Sequence, residues 1–143
     1  MGIDYGEKRI GVAVSDPLGI VAQGIDVVES RGLSNDVDNI RKLVDRYGNV
    51  EEIVVGLPKT LKGELGPQAQ KVTKFIEALK KCVDVTVVTW DERLTTSAVE
   101  RVLIDADMSR KKRKKVVDKT AAAYMLQGYL DARRSKANNE KNN

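Results

Sequence analysis

Histidine is absent from this chain of 143 residues, and that gap excludes more chemistry than any other feature of the composition. Without imidazole there is no Ser-His-Asp or Cys-His machinery, no HExxH zinc site and no histidine acid–base step. Cysteine occurs once, as Cys82. No disulfide can therefore close within the chain, most thiolate metal sites are ruled out, and a reducing compartment is expected. Cys82 sits near the end of a helical pattern and is expected to be a buried packing residue. No apolar run approaches the length of a membrane span, and the N-terminus does not read as a signal peptide. These absences predict a cytoplasmic protein without membrane contact, folded as one domain around a real core.

What remains is carboxylates and basic side chains. Any enzyme built from this composition must rest its chemistry on Asp and Glu. Carboxylates without His or Cys partners favour hard cations such as Mg²⁺ or Mn²⁺. The formal net charge is modest, +4, but unevenly spread. Arg110, Lys111, Lys112, Arg113, Lys114 and Lys115 are consecutive, which places a polyanion among the expected partners.

The N-terminal stretch GIDYGEKRIGVAVSD reads as a strand ending at Asp4, a turn through Tyr5-Gly6-Glu7-Lys8, and a returning strand from Arg9 to Ser15. Gly6 suits such a turn through its freedom at positive φ. The returning strand is apolar on both faces, as a central strand should be. Ile20 to Val28 reads as a third strand, completing an antiparallel meander. Ser34 is a candidate cap for a helix with Leu33, Val37, Ile40, Val44 and Tyr47 inward, closed by Gly48. Ile53 to Leu57 is a buried strand, and its following loop, Pro58 to Gly66, carries lysines, a threonine and glycines that suit either phosphate contact or a plain connection.

A second helix starts near Pro67, with Ala69, Val72, Ile76 and Leu79 on one face. Val85 to Trp90 is a fifth strand, running into Asp91-Glu92-Arg93. Thr95 or Thr96 then caps a third helix through Val99, Val102, Leu103 and Ala106. Met108 to Lys115 reads as a solvated basic loop. A fourth helix begins near Val116, and the polar tail 135–143 is expected to be disordered. Three antiparallel strands followed by two parallel ones, with helices on both faces, make a mixed α/β domain over residues 1–134.

Three carboxylates stand out. Asp4 ends a strand expected deep in the sheet, where a charge must be paired, protonated or metal-bound; capping its own turn is the plain alternative. Asp118 shares a helical stripe with Ala121, Ala122, Met125 and Tyr129, so it points at the sheet, although a place in the first turn would also make it a cap. Asp91 and Glu92 follow a strand end, where sites in such sheets gather, and alternation lets only one of them share a face with Asp4. A salt bridge with Arg93 is the competing role. Convergence of one carboxylate from each place makes a site for Mg²⁺, and a pair of such ions can clamp an in-line phosphoryl displacement.

The motifs IDYGEKRIGVAVSDPLGIVAQ, IVVGLP with a later GP, WDERLTT and VDKTAAAYMLQGYL, in this order and spacing, resemble the YqgF (RuvX) family over residues 1–134. That family belongs to the RNase H-like, Holliday-junction-resolvase-related nucleases, and its bacterial members are described as pre-16S rRNA processing nucleases. The resemblance implies a five-stranded mixed sheet of RNase H type and metal-dependent hydrolysis of phosphodiesters. It implies structured RNA as substrate, namely the 5′ end of precursor 16S rRNA or a ribosomal particle, with branched DNA as the alternative. Carried onto this chain, Asp4 and Asp118 hold Mg²⁺ (or Mn²⁺), and Glu92 completes the site and helps to orient water. Lys8, Arg9, Arg93 and the run Arg110 to Lys115 contact phosphates, which position a nucleic acid without reading its sequence. Members of the family usually have a longer apolar lead into the first aspartate. Resolvases of the RuvC kind carry a glutamate at the end of the fourth strand, where this chain has Gly56-Leu57-Pro58.

Two other classes compete. A hairpin with an Asp-x-Gly turn also cradles phosphate in the actin and sugar-kinase fold, but those proteins close a nucleotide between two such domains. A non-catalytic RNA-binding assembly factor would keep the fold, yet it would have no need of all three carboxylates. With four tyrosines, one tryptophan and one phenylalanine, base stacking is limited and recognition by shape and backbone is expected. Monomer and homodimer both remain open: a two-fold junction calls for a dimer, a single RNA strand does not.

Overall fold

The computed structural model describes residues 1–58, 62–92 and 110–141, with residues 110–120 described by their helical backbone alone. Five strands, β1 (Gly2–Tyr5), β2 (Arg9–Ser15), β3 (Ala22–Glu29), β4 (Glu52–Leu57) and β5 (Thr86–Asp91), form one sheet in the order β3-β2-β1-β4-β5. The first three run antiparallel, whereas β4 is parallel to β1 and β5 is parallel to β4. The expected mixed sheet is therefore present, with β1 at its centre. Helices α1 (Leu33–Tyr47) and α2 (Pro67–Lys80) cover one face, and α3 (Arg110–Lys141) covers the other. Among the described residues no helix is long and apolar enough to cross a membrane.

Side chains alternate across a strand, and the two faces of the sheet differ in what they bury. Ile3, Ile10, Val12, Ile53 and Val55 meet Val37, Ile40 and Leu43 of α1 and Val72, Phe75 and Leu79 of α2. The opposite face is built from smaller residues. Ala13 and Val54 pack against Ala122, Met125, Leu126 and Leu130 of α3. A Cβ on Gly2 would stand 2.8 Å from Cβ of Leu126, so glycine lets α3 ride close to β1. Gln127 ties the same helix to the β2–β3 turn: its Nε2 donates to the Ile20 carbonyl at 2.7 Å, and its Oε1 accepts from the Ala22 N–H at 2.8 Å.

A buried carboxylate joins α1 to the end of β1. Asp36, fully buried, accepts hydrogen bonds from the Tyr5 hydroxyl at 2.9 Å, the Ser30 hydroxyl at 2.6 Å and the Arg31 N–H at 2.9 Å. Tyr5 also stacks on Phe75, with ring centroids 4.3 Å apart. Asp36 lies three residues after Leu33 and four before Ile40, on the inward stripe of α1, and the sequence reading passed over it.

Several local expectations are corrected. Leu33 and Tyr47 are exposed rather than inward, because the buried stripe of α1 runs through Asp36, Val37, Ile40 and Leu43. Ser34 lies inside the helix, whose cap is Gly32 at φ 104° with no side-chain hydrogen bond. Strand β3 starts at Ala22 rather than Ile20, since the Ile20 and Val21 N–H groups donate to Asp16 Oδ1 at 2.7 and 3.0 Å. Those bonds, Val21 first, hold the Asp16 carboxyl below its usual range. Gly6 is not at positive φ. It is required by close approach, as a Cβ there would stand 2.6 Å from the Arg9 carbonyl oxygen. Cys82 is exposed, because α2 ends at Lys80 and the chain has left the apolar face.

The basic run Arg110 to Lys115 is helical, not a loop, and α3 continues through the expected disordered tail to Lys141. Lys, Arg and Ala are strong helix formers, and extending a helix already anchored on a sheet avoids the cost of nucleation. Asp118 consequently lies more than two turns into α3, which removes the role of a first-turn cap. The expected helix through Val99, Val102, Leu103 and Ala106 lies outside the described residues.

The anchoring role of Asp36 has a direct stability consequence. Asp36→Ala strands three donors in the interior and is expected to destabilise the fold by about 2–4 kcal/mol, read as a lower urea midpoint at unchanged slope. Asp38→Ala, two residues away and solvent-exposed with its Arg41 and Lys42 partners, is expected to leave the midpoint nearly in place. Equal midpoints for the two variants would refute the anchoring role.

Candidate active site

The alternation of β1 sends Ile3 and Tyr5 toward α1 and α2, and Gly2 and Asp4 toward α3. Asp4 thus lies one residue before the end of β1, which continues to Tyr5 rather than stopping at Asp4, half-buried on the face closed by α3. The parallel pairing sets Gly2 beside Val54 and Ile3 beside Val55. One residue further, the same register brings Gly56 beside Asp4. Gly56 in turn pairs with Trp90 of β5, and Trp90 packs on the α3 side of the sheet, its ring edge-on to Tyr129 at 5.8 Å. Asp91 ends β5 on the opposite face, and Glu92 returns to the face of Asp4. Of the two residues, it is Glu92 that shares a face and a cleft with Asp4.

Glu92 does more than share that face. Its side chain lies over Gly56, with Cγ and Cδ 3.0 and 3.1 Å from where a Cβ on residue 56 would stand, and Oε1 closer still. Asp4 and Glu92 line one cleft of about 300 Å³ at the carboxyl ends of β1, β4 and β5, together with Tyr5, Gly6, Glu7, Pro58 and Gln68. Open parallel arrangements commonly place their sites at such strand ends. The cleft contains oxygen donors and no nitrogen or sulfur ligand of the histidine or cysteine kind. That donor set suits a hard divalent cation. Among the described residues no group of three potential ligands is gathered. The side chain of Asp118, the third carboxylate expected from sequence, lies outside the described residues.

The backbone that carries Asp4 is held from the residue after it. Tyr5 is bonded through its hydroxyl to Asp36, through its ring to Phe75 and through its carbonyl to Gln68, whose Nε2 donates at 3.1 Å. Burial pushes the Tyr5 phenol above its ordinary value, and the hydrogen bond to Asp36 and the charge of that carboxylate act in the same direction. Tyr5 therefore remains a neutral donor, and the end of β1 is rigidly placed. Gln68 Oε1 is buried on the cleft wall with no hydrogen-bond partner. Neither Gln68 nor Tyr5 stood out in sequence; an isolated polar residue near a helix start and a tyrosine in a turn both read as surface.

The expected phosphate contacts are placed unevenly. Lys8 is exposed in the turn beside the cleft-lining Glu7. Arg9 opens β2 two residues before Gly11, the partner of Asp4, and so lies on the Asp4 face by alternation. Arg93 lies outside the described residues. Arg110, Lys111, Lys112, Arg113, Lys114 and Lys115 occupy the first turns of α3 as helical backbone. The run of α3 relates them to the cleft. Leu126 lies over Gly2, at the start of β1, and the Tyr129 hydroxyl donates to Glu52, at the start of β4. The helix thus runs against the direction of β1 and β4, and its earlier turns lead toward the strand ends that carry Asp4.

Comparison with known proteins agrees with this geometry. The family model described as RuvX, "Holliday junction resolvase", matches residues 1–132. A curated relative from Halothermothrix orenii, named "Putative pre-16S rRNA nuclease", is 55% identical over 131 residues, covering 92% of this chain and 93% of its own. One of the same name from Clostridium kluyveri is 51% identical over 131 residues, covering 92% and 95%. Among solved structures, T. thermophilus RuvC in complex with Holliday junction substrate superposes with a TM-score of 0.60 at 15% identity, covering 93% of this chain and 94% of that one. Fowlpox virus resolvase in complex with Holliday junction DNA gives 0.53 at 16%, covering 92% and 95%. At these identities the likeness to solved structures is one of fold, the RNase H-like fold of the resolvases. The match along nearly the whole chain makes this protein a member of the RuvX (YqgF) family of nucleases.

Proposed function

We propose that this protein is a divalent-metal-dependent endonuclease that hydrolyses phosphodiesters in structured RNA, acting on the 5′ end of precursor 16S rRNA. The observation that carries this reading is the meeting of Asp4 and Glu92 in one cleft at the strand ends. Their two carboxylates come from β1 and the residue after β5, strands separated by β4, and oxygen donors gathered in this way suit a hard divalent cation. The names borne by the relatives at about 50% identity supply the substrate class.

Asp4 and Glu92 would hold Mg²⁺ or Mn²⁺, with Asp118 as the third ligand. Asp118 precedes the buried Ala121 and Ala122 by about one turn of α3, and the direction of α3 leads its backbone toward the Asp4 end of β1. Bound there, a divalent cation would supply Lewis-acid neutralisation of phosphate charge and a more acidic water. The chain's own groups do the positioning. The Tyr5 anchor fixes Asp4, and Glu92, within reach of the cleft, orients the attacking water by accepting its proton in a hydrogen bond. Water oxygen joins phosphorus as the bond to the leaving sugar oxygen breaks.

Phosphate is held around the cleft by Lys8, Arg9, Arg93 and the six basic residues Arg110 to Lys115. The basic turns precede Asp118 on one helix, within about 5–12 Å along its axis at the rise of an α-helix, so they bring positive charge to the rim of the carboxylate site. Contacts of this kind grip the backbone of either nucleic acid. The family description keeps junction DNA as the competing substrate, and cutting it symmetrically would require a dimer.

Cleavage of a labelled precursor rRNA fragment and of a four-way DNA junction, each with Mg²⁺, Mn²⁺ or EDTA, tests the reading. The RNA is expected to be cut with metal and spared with EDTA, and Asp4→Asn is expected to lower kcat by about a thousandfold or more while the thermal midpoint holds. Cutting of the junction alone would transfer the substrate assignment to DNA, and tight binding with no cutting would make the protein an RNA-binding assembly factor. Asp118→Asn is expected to behave as Asp4→Asn does; full activity would strike Asp118 from the ligand set. Replacing Lys111, Lys112 and Lys114 with glutamine should flatten the log–log salt dependence of binding by about 2–3. An unchanged slope would remove α3 from the phosphate-binding surface.

A further inference from the structure

Gly56 is out of place by every local criterion. It interrupts the run Ile53-Val54-Val55 in a strand paired on both sides, where a β-branched residue would be more stable than glycine. Its φ is not in the positive range that favours glycine, so the backbone itself would accept alanine. What a side chain there would meet first is Glu92. All three heavy atoms nearest to a Cβ on residue 56 belong to that glutamate: Oε1, Cγ at 3.0 Å and Cδ at 3.1 Å. The contrast with Gly2 is instructive, for there the obstruction is Leu126 of α3 and the reason is helix packing.

We infer that Gly56 is a positioning residue of the active site: the bare volume above its Cα is the seat of the Glu92 carboxylate. Glu92 lies one residue beyond the end of β5, and a long side chain in that place has several rotamers open to it. The seat over Gly56 holds it on the cleft that Asp4 also lines, Gly56 following the last β1–β4 pair, Ile3 with Val55, by one residue. β4 thus contributes to the site through the absence of a side chain. This inference rests on the proposed nuclease only for its catalytic consequence; the seat itself is a statement about where Glu92 lies.

Two readouts separate these. With the full-length protein carrying ¹³C-labelled glutamate, the Glu92 carboxyl resonance is identified by its loss in Glu92→Gln. Gly56→Ala is expected to displace that resonance and leave the other glutamates where they are. A Glu92 resonance unmoved by Gly56→Ala overturns the seat, whatever the protein does to nucleic acid. In cleavage, Gly56→Ala is expected to lower kcat by roughly a hundredfold, as for an ångström-scale misplacement, with KM and the thermal midpoint close to wild type. A wild-type kcat in Gly56→Ala overturns the positioning role.

Rescue guards against simple misfolding. The pair Gly56→Asp with Glu92→Ala removes the obstruction and puts a carboxylate into the same volume from β4, so it is expected to exceed Glu92→Ala in kcat by about tenfold or more. No gain over Glu92→Ala counts against the seat as the determinant of that carboxylate's position. If the wild-type protein cuts neither RNA nor junction DNA, the nuclease reading fails, while the resonance still decides the seat.

Discussion

Alternation along β1 is the constraint from which the rest of this structure follows. The strand is four residues long, central in the sheet and covered on both faces. Ile3 and Tyr5 must go to one side and Gly2 and Asp4 to the other. The side that receives Ile3 is filled by two amphipathic helices and holds most of the large buried side chains. The side that receives Asp4 is lined by glycine and alanine and closed by one helix. A carboxylate is tolerable at the end of the thin face because that face runs out into a cleft. On the thick face it would be entombed among Phe75, Ile40 and Leu79.

Asp36 and the half-buried Asp4 illustrate different solutions to the cost of burying charge. Asp36 is completely enclosed, and three donors satisfy it. Its work is structural: it joins the start of α1 to Tyr5, and through Tyr5 to the end of β1. Asp4, the residue before Tyr5, borders the cleft that Glu92 also lines. The stability of one is therefore coupled to the placement of the other. Catalytic sites of this class depend on groups held to a fraction of an ångström, and the Asp36–Tyr5–Phe75 assembly provides that rigidity from the opposite face of the sheet.

Helix α3 connects the two ends of the molecule. Its middle lies against Gly2, Ala13 and Val54, its later turns tie Gln127 to the β2–β3 turn and Tyr129 to Glu52, and its first turns are the basic run. The helix that closes the thin face is thus also the element whose first turns hold the basic run. Small residues at the contact, Gly2, Ala13 and Ala122, allow its close approach.

Much of this was legible in the chain itself. Strand and helix periodicities and the glycine turn after Asp4 are local patterns; they sufficed for the mixed sheet, and they made Asp4, Asp118 and the Asp91–Glu92 pair candidates. The errors were also local: helix ends, the burial of Cys82 and the state of the basic run depend on propagation and on where a neighbouring face stops. The choice of Glu92 over Asp91 needed the pairing of β4 with β5, and the meaning of Gly56 needed Glu92 to be folded over it. Asp36 needed its donors from Tyr5, Ser30 and Arg31. Sequence determines which residues can face inward, because periodicity is a property of one segment. Only tertiary structure decides which side chains meet, because register between strands distant in the chain is set by the packing of the whole.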